Sequence, residues 1–282
     1  MGLEKGTIYR LWALMSQGPS INWRNGIRFY LTNEDARVVA KALALLPESP
    51  NYPVFVGGSG MIVLEVMASL TRETPSCFVD ISPMQVAFFE ELQRALAQAE
   101  NADGLRTWFE DSVYPRLNAH YLRRGLSYSL SEVMTSLREL FGIGFLFDDE
   151  VLVRAKNTSC LVVKHASDIV HYLRMSEGLH DFIYLSNVVD YMSPRQIEDL
   201  FASCVGHQAT VYLLATSACK ESGTLATIWS RFGYHVHEAT PYLNRCNRGL
   251  GSTEVKRSWN RQGQVIFLFS DQLSAGKARR TD

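Results

Sequence analysis

The chain has 282 residues, 46% of them apolar and 20% charged, a balance that suits one large domain with a sizeable core. A net charge of −1 gives no general field for nucleic acid or an anionic membrane, and no apolar run is long enough to span one. Cys77, Cys160, Cys204, Cys219 and Cys246 are scattered and form no C-x-x-C pair, so neither zinc nor a disulfide framework is indicated and a reducing, cytoplasmic setting is expected.

Residues 1–50 read as a helical lead-in. Ile8, Leu11, Trp12 and Met15 recur at helical spacing, and Gln17-Gly18-Pro19-Ser20 closes that element. A second helix begins after Arg28-Phe29-Tyr30-Leu31. Thr32 or Asn33 is its expected cap, Glu34 and Asp35 fall in its first turn, and it runs to Leu46 before Pro47. Capping accounts for these acids, with ligand contact as the alternative.

Residues 51–273 read as an α/β domain. Val54-Phe55-Val56 is a short buried strand that ends in Gly57-Gly58-Ser59-Gly60, after which Ile62, Leu64, Val66, Met67 and Leu70 switch to helical spacing. Glycines allow positive φ and leave backbone N–H groups open to a ligand. The next strand, Cys77-Phe78-Val79, ends in Asp80. That acid lies 20 residues past Gly60, the spacing at which a carboxylate meets ribose hydroxyls. The full G-x-G-x-x-G is missing, so a nucleoside without a pyrophosphate fits better than a dinucleotide.

Ser82 and Pro83 open another helix, and then the βαβ rhythm breaks. Residues 103–150 hold two expected helices, around Leu105–Arg124 and Ser129–Phe141, rich in aromatic and basic groups. We read them as a helical cap over the acceptor side. Strands are then expected at Cys160–His165, Asp181–Leu185 and Thr210–Ala215, with a final pair at Phe232–Val236 and Val265–Phe269. Ligands in such sheets bind outside the carboxyl ends of the strands. Past the fourth strand lies Ser186-Asn187-Val188-Val189-Asp190-Tyr191-Met192. There Ser186, Asn187 and Asp190 supply donors and acceptors, and Tyr191 adds an aromatic face.

The glycine turn and Asp80 together resemble the class I S-adenosylmethionine (SAM)-dependent transferases. The resemblance implies a Rossmann-like methyltransferase fold with a mostly parallel seven-stranded sheet. It also implies that Gly57, Gly58, Ser59 and Gly60 pass under the methionine part, Asp80 holds the ribose, and Ser167-Asp168 stand beside the adenine. Leu185-Ser186-Asn187-Val188-Val189-Asp190-Tyr191-Met192 and the Tyr30–Asp35 segment are similar to stretches of the betaine-lipid-synthase type, which transfers the 3-amino-3-carboxypropyl group of SAM. That likeness implies Tyr30 and Ser186 as ligand contacts and Asp190, Tyr191 and Asn187 as catalytic groups. SAM is then a substrate, methylthioadenosine the leaving group, and no metal is needed. The insertion is shorter than in the lipid enzymes, Tyr191 stands where they carry Trp, and no lipid-facing segment is present. A small acceptor, or none beyond SAM as in cyclisation to azetidine-2-carboxylate, is therefore expected. Methyl transfer and non-catalytic SAM binding are the alternatives.

Overall fold

A computed structural model describes residues 30–32, 34–70, 72–123, 127–215, 224–249 and 264–270. The helix read around Ile8–Met15, Asn33, Cys219 and the tail from Ser274 lie outside the described residues. Helix α1 (Ala36–Ala44) precedes strand β1 (Val54–Val56), helix α2 (Met61–Ala68), strand β2 (Ser76–Asp80) and helix α3 (Pro83–Gln98). The insertion holds α4 (Ala102–Trp108), α5 (Tyr114–Leu122) and α6 (Leu130–Thr135), with π-helical turns at Phe109–Val113 and Ser136–Leu140. Pro115 has no N–H for the carbonyl of Asp111, which accounts for the first widened turn. Then come α7 (Asp149–Ser159), β3 (Val162–Ala166), α8 (Ile169–Met175), β4 (Phe182–Ser186), α9 (Pro194–Val205) and β5 (Thr210–Ala215). Helix α10 (Thr224–Arg231), β6 (Tyr234–Val236), α11 (Thr240–Gly249) and β7 (Gln264–Ser270) follow.

The sheet order is β3-β2-β1-β4-β5-β7-β6. Strands β1 to β5 run parallel, and β7 is antiparallel to both β5 and β6. Side chains alternate across each strand, and here the alternation also sorts shape. Phe55, Phe78, Phe182, Tyr184, Tyr212 and Phe267 face α1, α2, α3 and the insertion. Val54, Val56, Val79, Ile183, Leu185, Val211 and Leu213 face α8, α9 and α10. The two-sided burial explains why these strands read as unbroken apolar runs.

Three expectations at the helices need correction. Asp35, not Thr32 or Asn33, caps α1, accepting the Arg37 N–H at 3.0 Å. The helix stops at Ala44 rather than Leu46, because a proline at 47 disfavours helical backbone just before it. The segment read as insertion, 103–150, ends inside α7, whose cap Asp148 accepts the N–H groups of Glu150 and Val151.

The insertion is helical near the expected bounds, and it packs as an added layer. Leu105, Phe109, Val113, Leu117, Leu137, Phe141, Ile143 and Phe145 are all buried in the aromatic-side core. Glu65 of the otherwise apolar α2 fastens it, accepting the N–H groups of Gly144 at 2.7 Å and Phe145 at 3.2 Å. Burial pushes the Glu65 carboxyl up to about 7 despite those bonds.

Gly60 sets the entry to α2 with φ of +80°. A Cβ built there lies 2.0 Å from Cδ2 of Phe89, a ring held in the core. Gly60→Ala is expected to cost at least ~2 kcal/mol, from left-handed backbone plus overpacking. Urea unfolding measures it, and an unchanged midpoint would refute this reading of the turn.

Candidate functional site

A cleft opens along the carboxyl ends of β3, β2, β1 and β4. It takes in about 990 Å³ of space, open solvent at its mouth included. Gly57 and Gly58 form its middle, Asp80, Ile81 and Ser82 one flank, and Ser186, Asn187 and Tyr191 the other. Ser167, Asp168 and Ile169 extend it beyond β2, at the end of β3.

The glycine turn is built by backbone conformation. Gly57, Gly58 and Gly60 all have positive φ, and the Gly57 N–H bonds the Val79 carbonyl at 2.8 Å, tying the turn to β2. A Cβ at Gly57 comes within 3.2 Å of Asp80 Oδ2, whereas one at Gly58 meets nothing within 4 Å. The open space lies over Gly58, where the cleft passes. Ser59 is buried with its hydroxyl on the Met61 N–H, and Gly60 is pressed against Phe89. Neither lines the cleft; they shape the turn.

Asp80 accepts the Ser82 N–H at 2.7 Å and the Gly58 N–H, so it is oriented without a ligand. Burial raises its carboxyl to about 6 against the pull of those two bonds. Ser167 is joined to β2 through its N–H on the Asp80 carbonyl at 2.9 Å. Asp168 both lines the cleft and caps α8, accepting the His171 N–H at 3.1 Å.

At the β4 end the register shifts between Tyr184 and Ser186, and Ser186 has φ of +52°. Left-handed backbone at a non-glycine residue is costly and gathers at functional sites. The turn sends the Ser186 hydroxyl onto Oε1 of Glu34, with Asn187 Oδ1 at 3.3 Å. Asn187 Nδ2 donates to the Tyr191 hydroxyl at 3.4 Å across the short 3-10 turn Val188–Tyr191. Burial holds the Tyr191 hydroxyl up at about 12, so it stays protonated near neutrality. Burial also raises Glu34 to about 7, with Asp190 adding in the same direction.

Of the residues singled out from sequence, Gly57, Gly58, Asp80, Ser167, Asp168, Ser186, Asn187 and Tyr191 share this cleft. Asp190 sits behind it, near enough to Glu34 to act on its charge. Tyr30 lies apart from the lining residues, against Phe88 at 5.3 Å and His120 of the insertion at 6.1 Å between ring centres. No described residue of 103–150 lines the cleft, so that segment flanks Tyr30 rather than covering the site. Glu34 was not singled out as a site residue, because a helix start was the preferred explanation of an acid there. Gln85 and Gln196, third residues of α3 and α9, also reach the cleft without a sequence signal.

Among the described residues, no group of three or more His, Cys, Asp or Glu is placed to hold a metal ion, and no helix is long and apolar enough to cross a membrane. Strand order, the antiparallel β7 and the glycine turn after β1 are those of the class I SAM-dependent methyltransferase fold. No protein-family model matches the sequence, and no curated protein does. Solved structures are similar at low identity. Geranyl diphosphate C-methyltransferase from Streptomyces coelicolor A3(2), in complex with Mg2+, geranyl diphosphate and S-adenosyl-L-homocysteine, is 12% identical; the match covers 83% of this chain and 77% of that one, with a TM-score of 0.43. A geranyl diphosphate methyltransferase in complex with SAM is 10% identical over 83% of each chain, with a TM-score of 0.45. The [4+2]-cyclase SpnF is 10% identical over 94% of this chain and 92% of its own, with a TM-score of 0.43.

Proposed function

We propose that the chain is a SAM-dependent transferase acting at the γ-carbon of the methionine part. It moves the 3-amino-3-carboxypropyl group to a small acceptor, or closes it to azetidine-2-carboxylate, and releases methylthioadenosine. No nucleic acid, membrane or metal is part of this reading. The cleft suits SAM in its polar groups. Asp80 faces the ribose, Ser167 and Asp168 the adenine side, and the bare Gly58 backbone leaves room for the chain between.

One observation supports the choice of carbon: the carboxylates of Glu34 and Asp190 gather at the β4 end, behind Ser186, and in this reading the methionine part lies beside them. A nucleophile attacking the γ-carbon gives up its proton there. Its lone pair forms the new bond to carbon, the C–S bond breaks, and its electrons return to sulfur. In this reading Asp190 takes the proton. Tyr191 keeps its own and offers an aromatic face to the sulfonium, worth ~0.5–2 kcal/mol where water is excluded. Holding the γ-carbon in line with the nucleophile supplies roughly 7–11 kcal/mol of the barrier.

Incubation with SAM, alone and with small amines, followed by mass spectrometry, tests the reading. Methylthioadenosine is the expected product. S-adenosylhomocysteine formed with any acceptor would transfer the assignment to methylation.

A further inference from the structure

Glu34 is 5% exposed. One carboxylate oxygen bonds the Ser186 hydroxyl, the Tyr184 hydroxyl lies close enough to lower the carboxyl's pKa as a hydrogen-bond donor, and the other oxygen, Oε2, is buried without a partner at hydrogen-bond geometry. The groups acting on it are Ser186, Tyr184 and Asp190, and it in turn acts on Tyr212, as does Asp35. Asp35 has its own partner in Arg37, at 2.8 Å. No Lys, Arg or His among the described residues bonds Glu34. A buried carboxylate ringed by tyrosines and a second acid, with no cation, is expensive to keep in a folded chain. Helix capping does not require it, because Asp35 already performs that task. Ser186 connects it to the cleft, and the left-handed backbone of Ser186 is what makes the connection.

We propose that Glu34 anchors the amino group of the bound amino-acid ligand at the β4 end of the cleft, its buried carboxylate supplying, behind Ser186, the negative charge that a primary ammonium meets there. The assignment rests on the SAM reading of the cleft and adds the residue that recognises the ligand's charged end. Asp190 then stands beside that ammonium rather than under it, and Asp80 keeps the opposite, ribose end. An ammonium fits this pocket because it is compact, carries several donors and neutralises the site without a lost proton.

The full chain is titrated by calorimetry with SAM, with its deaminated analogue and with methylthioadenosine, alongside Glu34→Gln. The parent is expected to prefer SAM over the deaminated analogue by on the order of 10–100-fold, the worth of a bond to a charged group. Glu34→Gln should abolish that preference and leave methylthioadenosine binding unchanged. A variant that keeps the preference overturns the proposal. A parent that binds neither SAM nor methylthioadenosine overturns the SAM reading first, and the anchor with it. Thermal melting of the ligand-free protein at pH 8 gives a second, independent readout. Glu34→Gln should raise the melting temperature, since an uncompensated buried charge is removed. A lower one would mark Glu34 as a satisfied structural group and refute the assignment. A parent stabilised by millimolar Mg2+, with the effect lost in Glu34→Gln, would place a metal there and also refute it.

Discussion

Asp190→Asn is expected to lower turnover of SAM by ~10²–10⁴-fold while changing SAM affinity far less. The carboxylate that takes a nucleophile's proton is used in the transition state, so its loss appears in the rate of the bound complex. Asn keeps the shape and one acceptor oxygen but cannot hold the proton. Single-turnover rates and calorimetric affinities, measured on the same preparation, separate the two effects. Equal losses in both would make Asp190 a binding group, and the proton would need another acceptor. Tyr191→Phe serves as the companion measurement. A hydroxyl held at about 12 does not act as base near neutrality, so its removal should cost much less than Asp190→Asn.

Asp80→Ala should weaken SAM binding by ~1–3 kcal/mol, because ribose hydroxyls brought into the cleft lose their acceptor. Gly58→Val tests the other half of the same site. Its Cβ meets no protein atom within 4 Å, so the added side chain begins in the open space of the cleft. With φ of +81° it also carries a backbone cost of ~1–2 kcal/mol in stability, which chemical denaturation can subtract. Two variants that bind SAM like the parent would remove the glycine turn and Asp80 from the site. Acid offers a check without substitution. Burial raises Asp80 to about 6, so the free folded chain takes up a proton there that the unfolded chain takes only at lower pH. Protonation thus favours the free folded state and opposes a ligand that needs the ionised acceptor. SAM affinity should fall as pH drops through about 6, and a flat profile would argue against a hydrogen bond to the carboxylate.

Local physics settled much of this protein in one dimension. A strand buried on both faces must be apolar throughout, so Val54–Val56, Cys77–Val79 and Thr210–Ala215 were legible as strands. The glycines after β1 and the acid ending β2 could be expected at neighbouring strand ends from the sequence, and Gly57, Gly58 and Asp80 do line one cleft. Tertiary structure decided what depends on distance. Glu34 lies 152 residues from Ser186, and a helix start accounts for an acid at that position by itself. Only the meeting of the α1 lead with the end of β4 shows the carboxylate to be buried and half unpartnered. The insertion followed the same rule. Its helices were expected from the sequence, but the face they cover depends on long-range contacts, the buried apolar residues and Glu65 reaching the N–H groups of Gly144 and Phe145, which no local pattern encodes. Tyr30 went with that layer, toward Phe88 and His120, because packing partners across the fold outweigh position in the chain.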